Sequence, residues 1–212
     1  MPAAALGVLL LAACSREEPP AAVAPATSTT AAPAAIGPLR ARFETTQGPF
    51  VVELLAEGAP RTVANFCLLA TRGFYDGQAW YGQSPVVRQV GRPRPEFTTG
   101  YELPREFVPG TWFDEGGRLA ASLTSDSDAS LAHGSGIFLT IKPQERWNLV
   151  YPIFGRVVEG QASVDMLRDG DRLISVRIEG DPAPLWATMP AEVAAWRAAL
   201  DRLGPVPPVA RE

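Results

Sequence analysis

Residues 48–77, GPFVVELLAEGAPRTVANFCLLATRGFYDG, limit what this chain can become more than any other stretch. Phe50, Val52 and Leu54 alternate with Val51, Glu53 and Leu55, a period-two pattern rich in β-branched and aromatic residues that predicts a strand ending near Ala56. Glu57, Gly58 and Ala59 turn the chain. Pro60 then stands where the first turn of a helix tolerates a missing N–H, and Val63, Phe66, Cys67 and Ala70 recur at helical spacing until Gly73 ends the run. One strand hands over to one amphipathic helix.

The 212 residues, 46% of them hydrophobic, are enough for one ordinary core with length to spare for extensions. A formal charge of −4, with Lys142 the single lysine, gives no electrostatic reason to expect nucleic acid as a partner. The two cysteines lie in different contexts and are not expected to pair. Cys67 falls on the apolar face of the helix and reads as a small buried hydrophobe. Cys14 closes residues 1–13, MPAAALGVLLLAA, an apolar run too short to span a bilayer as a mature helix. Leu11, Ala12, Ala13 and Cys14 resemble the lipobox of bacterial lipoproteins, which implies a signal peptide over 1–13, a lipid on Cys14 and a place in the cell envelope facing the periplasm. Ser15 after the cysteine implies the outer membrane in a cell that has one. A plain signal peptide with an incidental cysteine is the alternative. Residues 14–38 are rich in Ala, Pro, Ser and Thr, without aromatics or apolar period, and read as a disordered tether.

Residues 39–46 alternate as a strand, and Gln47 and Gly48 make a hairpin turn into the next. Residues 92–115 carry four prolines among Tyr101, Phe107, Trp112 and Phe113, a long irregular connection whose aromatics are expected to form satellite core. Residues 117–123, GRLAASL, and 134–141, GSGIFLTI, read as strands, and 124–133, TSDSDASLAH, as a polar loop containing His133. Asp126 and Asp128 lack the remaining ligands of a calcium loop, and one histidine makes neither a zinc site nor a triad. Residues 172–179 form a closing strand in which Leu173, Ser175 and Arg177 alternate with Ile174, Val176 and Ile178. After a Pro-containing link, residues 191–203 form a helix with Val193, Trp196, Leu200 and Leu203 on one face. That face either packs back on the domain or is offered to a partner.

Ala59, Pro60, Thr62, Val63, Asn65 and Phe66, followed by Gly73, Tyr75, Asp76 and Gly77, resemble the opening strand, helix and turn of the cyclophilins, the prolyl cis-trans isomerases. Residues 154–160, FGRVVEG, resemble that family's signature strand. The resemblance implies a mainly β fold, a closed antiparallel barrel with flanking helices over residues 39–181, followed at 182–212 by a C-terminal helical extension. It implies catalysis without metal or cofactor, on a proline-containing peptide or unfolded envelope protein, by a monomer. In the family a catalytic arginine follows an aromatic by two residues. Here Trp80 holds the aromatic position and the arginine position falls on Gly82. With a one-residue gap after Pro85, Val87 takes a pocket position and Gln89 keeps the family's glutamine; without it, Arg88 stands in the pocket position. Phe138, Trp147 and Tyr151 match the remaining peptide-binding positions, while a second glutamine is replaced by Gly136. Arg88, Arg92 and Arg94 are the nearby arginines, with Arg88 the possible substitute donor. Two functions stay open: a prolyl isomerase of reduced activity, or an inactive cyclophilin-like binding module anchored at the membrane.

Overall fold

In a computed structural model that describes residues 35–82, 85–92, 97–125 and 130–204, the alternating runs of the sequence pair into one antiparallel sheet. Strand β1 (Leu39–Thr45) turns at Gly48 into β2 (Phe50–Leu54), and helix α1 (Pro60–Thr71) follows. Then come β3 (Val87–Val90), the short β4 (Glu102–Leu103), β5 (Arg118–Leu123) and β6 (Ala132–Thr140). A 3₁₀ turn (Glu145–Trp147) leads to β7 (Ile153–Glu159), α2 (Gln161–Met166) and β8 (Leu173–Glu179). Helices α3 (Ala183–Ala187) and α4 (Pro190–Leu203) complete the described chain. The signal segment, Cys14, most of the tether, Arg94, Asp126 and Asp128 lie outside the described residues.

The strand order is β3-β6-β5-β7-β2-β1-β8, with β4 also on β6. The sheet curls until one short segment reaches both of its ends: Ala79 bridges to Arg172 beside β8, and Tyr81 bridges to Gln89 on β3. Inside, Phe43 stacks on Phe50 at 4.7 Å between ring centres, and Phe66 from α1 meets Tyr75 at 5.6 Å and Phe154 at 5.5 Å. The motif FGRVVEG is explained by two close approaches. A Cβ on Gly155 would lie 2.7 Å from the Val52 side chain, where β2 and β7 pair, so no side chain fits there. Gly160 turns the chain at φ 79°, where a Cβ would meet the Pro49 carbonyl oxygen at 2.5 Å.

The structure departs from the sequence pattern at three places. Leu173 and Val176, which alternation puts on opposite faces, are both fully buried, because the β1–β8 register shifts by a bulge between Glu44 and Thr45. His133 lies in β6 and is buried rather than in a loop. Of the aromatics in the 97–113 connection, Phe113 is fully buried, but Phe107 and Trp112 remain 38% and 43% exposed.

The C-terminal helices return to the domain. The Trp186 indole N–H donates to the Ala64 carbonyl at 3.0 Å, and Trp196 stacks on Tyr101 with ring centres 6.1 Å apart. Arg61 pairs with Glu192 and Arg72 with Asp201 along α1. Val193, Trp196 and Leu200 are buried, as one apolar helix face requires, while Leu203 stays 38% exposed.

Candidate active site

Strands β5 and β6 are buried on both faces, which is why GRLAASL and GSGIFLTI read as nearly continuous apolar runs. Leu119, Ala121, Ile137 and Leu139 point into the main core. Val87, Ala120, Phe138 and Ile153 point the other way and, with Phe113, form a second buried cluster bordered by Leu55, Val86, Trp147 and Tyr151. Phe113 stacks on one face of this group, its ring centre 6.1 Å from that of Phe138 with the planes 13° apart. Trp147 and Tyr151 meet Phe138 edge-on at 5.8 Å and 5.2 Å. The 3₁₀ turn delivers both, since the Tyr151 N–H donates to the Trp147 carbonyl and Asn148 Oδ1 accepts the Phe113 N–H at 2.8 Å. Gln89, half-buried, is the register partner of Phe138 on one side and of Tyr81 on the other. Val87, Gln89, Phe138, Trp147 and Tyr151 are thus brought to one outer face of the sheet, an apolar floor with an amide at its edge.

The arginines divide sharply. At Gly82 a Cβ would sit 2.7 Å from the Val87 carbonyl oxygen, so this backbone has no room for any side chain there. Arg88 alternates to the face opposite Val87 and Gln89. Its Nε donates to the Leu167 carbonyl at 2.8 Å and its Nη1 to the Val87 carbonyl at 2.7 Å, so the structure does not bring its guanidinium to the aromatic floor. Arg92, just beyond β3, takes another course. Its stem lies 3.1–3.2 Å from where a Cβ on Gly136 would be, next to Ser122. Gly136 is two residues from Phe138 on β6 and therefore on the same face. The space that Gly136 leaves open is occupied by an arginine stem.

Arg92 lies among polar groups. Burial pushes the Tyr81 phenol up to about 12, with the positive charge of Arg92 pulling the other way. The Tyr81 hydroxyl and the Ser122 hydroxyl are both buried without a hydrogen-bond partner among the described residues. His133 Nδ1 accepts the N–H groups of Ser135 and Gly136 at 3.1 and 3.0 Å, which leaves its Nε2–H to donate to the Phe97 carbonyl at 3.2 Å. Burial, and secondarily the Arg92 charge, hold its pKa below the ordinary value. The imidazole is a neutral brace for the start of β6. Cys67 is fully buried, and burial lifts its thiol to about 12, so it is not a reactive thiolate.

Phe113 joins the second cluster as the satellite core expected of its segment, although its neighbour Trp112 is exposed; Tyr81 acquires meaning only from its bridge to Gln89 on β3. The Arg92 approach depends on Gly136, and only the pairing of distant strands shows that the two meet.

The profile described as "Cyclophilin type peptidyl-prolyl cis-trans isomerase/CLD" matches residues 40–183, more than half of the chain. The chain belongs to the cyclophilin family. Peptidyl-prolyl cis-trans isomerase B of Bacillus subtilis is 35% identical over 131 residues, covering 60% of this chain and 89% of that protein. A Synechococcus elongatus peptidyl-prolyl cis-trans isomerase is 32% identical over 149 residues, covering 68% of this chain and 99% of that one. A Cryptosporidium parvum cyclophilin-type isomerase superposes with a TM-score of 0.62 at 21% identity, over 69% of this chain and all of that one, and shows the shared fold. The cyclophilin fold here is the curled antiparallel sheet, and the floor around Phe138 lies on its outer face.

Proposed function

We propose that this cyclophilin isomerises X-Pro bonds in protein chains of a bacterial envelope, tethered through a lipid on Cys14 and working below the rate of members with an arginine at the Gly82 position. Peptide-bond rotation faces a barrier of about 18–20 kcal/mol, and spontaneous X-Pro isomerisation takes roughly tens of seconds or longer. Lowering that barrier requires a binding surface for the proline ring and a donor that stabilises the prolyl nitrogen as its lone pair localises. The floor of Phe138, Phe113, Trp147 and Tyr151 suits the ring. A relative of the same fold was crystallised in the presence of the dipeptide Ala-Pro.

The observation that carries the reading is the course of Arg92 over Gly136, on the face that holds Phe138. A guanidinium has five N–H donors, so it can serve a neighbour and a substrate together. The test is isomerisation of an Ala-Pro peptide, followed by NMR exchange, for the purified protein, Arg92→Gln and Trp147→Ala. Both variants should fall by about a hundredfold, the usual loss for a transition-state donor or its binding surface. A purified protein no faster than Trp147→Ala overturns the enzyme reading.

The second reading, a binding module without catalysis, is favoured by the closed backbone at Gly82. It requires proline peptides to bind at the floor with no rate enhancement. For the location, the wild-type chain should fractionate with membranes and Cys14→Ser should not; a Cys14→Ser chain that stays membrane-bound defeats the anchor.

A further inference from the structure

Beyond Tyr151 the aromatic floor continues into a separate hollow of about 220 Å³, set between residues 107–113 and 148–153. The two share a wall, because Phe113, Tyr151 and Ile153 belong to both. The lips of the hollow are apolar side chains held out in water: Phe107 at 38%, Trp112 at 43% and Leu149 at 64% exposure. Large exposed apolar residues scattered singly mean little, whereas several around one concavity mark a binding surface.

Leu149 adds an independent sign. It is the one residue other than glycine at positive φ among the described residues, at 58°, a conformation that a branched aliphatic residue rarely adopts. Strain of this kind persists where surrounding structure enforces it, and it is concentrated at ligand-binding segments. Here it holds up a leucine that covers nothing in the core. The opening is also braced. The Arg105 guanidinium lies 5.8 Å from the Phe107 ring centre and Nη1 reaches the Val150 carbonyl at 3.4 Å, linking the two lips.

We propose that this hollow is a second subsite, one that takes an apolar side chain, aromatic or long aliphatic, from the same peptide whose proline lies over Phe138. The proposal rests on the peptide-binding reading above and deepens it. An extended peptide that leaves the floor past Tyr151 meets the hollow next, and the shared wall makes one continuous apolar track. The protein therefore selects among X-Pro sequences by a hydrophobic residue near the proline, rather than by the proline alone.

The test is calorimetric binding to alanine-flanked Ala-Pro peptides with a single Phe or Leu walked along each side of the proline. The full-length protein, Leu149→Gly, Trp112→Ala and the remote control Ile174→Ala are compared; Gly accepts positive φ, so Leu149→Gly removes the side chain while relieving the backbone. At one position Phe should tighten binding by about tenfold over Ala, a gain of the size that burying one such side chain gives. That gain should shrink to about twofold or less in Leu149→Gly and Trp112→Ala and persist in Ile174→Ala, with the all-alanine peptide bound equally by all four. A preference absent at every position, or one that survives both variants, overturns the subsite while leaving the proline site intact. Failure of every protein to bind the all-alanine peptide sinks the peptide-binding reading and the subsite together. A Trp112-dependent blue shift with phosphatidylglycerol vesicles that no Phe-containing peptide competes away overturns the proposal in favour of a membrane-facing patch. A concentration-dependent dimer abolished by Leu149→Gly does so in favour of a second copy of the chain.

Discussion

The two faces of the β5–β6–β7 sheet were made under different rules. The inner face is filled by Leu119, Ile137, Leu139 and Phe154, all at or near zero exposure and locked against α1 and β2. The outer face is a thin layer in which Val87, Ala120, Phe138 and Ile153 are sealed by residues from loops, Phe113, Trp147 and Tyr151. A packed interior tolerates little change of volume. A layer closed by loops can be filled from many directions, and over Gly136 it is filled by the Arg92 stem.

The sharpest break in this contrast should come from Phe154→Ala, which empties the inner core and is expected to cost about 3–5 kcal/mol in urea unfolding. A loss below about 1 kcal/mol there would mean the inner face is as adaptable as the outer one. Gly155→Ala should follow at about 1–3 kcal/mol, because its methyl group meets Val52 on the paired strand. Arg88→Ala should lower stability by about 1–3 kcal/mol by stripping the buried Leu167 carbonyl of a donor, yet leave prolyl isomerisation within about twofold. Equal damage to the rate by Arg88→Ala and by Arg92→Gln would erase the distinction between the faces at the arginines.

The smallest effect concerns His133. Its folded-state pKa is depressed, so the unfolded chain takes up a proton first as pH falls. Its contribution to stability is complete above about 6.5 and is lost as pH drops from there through the lower folded value. Urea midpoints at pH 7.5 and pH 5 should therefore differ more in the wild type than in His133→Gln. A slope unchanged by the substitution would assign the acid sensitivity elsewhere.

The inner face was largely legible in the sequence, since its strands and helix obey local rules: period two at Phe50 to Leu54, proline at the first turn of α1. Where a bulge intervenes, as opposite Leu173 and Val176, the local rule fails because register is a property of two strands. The outer layer was legible as a set of matched positions, Gln89, Phe138, Trp147 and Tyr151, which the structure gathers on one face. The course of Arg92 was not: it enters from an irregular segment, and nothing in its spacing marks which strand it will cross.

The pairing of β1 with β8 has a further consequence. Arg40 and Glu179 are register partners on adjacent strands, so the curled sheet begins and ends at one place on its rim. It is a cassette: joined at those two points it can be spliced into a surface loop of another host, or have its ends linked and be reopened elsewhere, without unthreading a strand. The helices after Glu179 then clasp the domain, held to α1 and Tyr101 by Trp186 and Trp196, with Leu185, Val193 and Leu200 part of the same buried core.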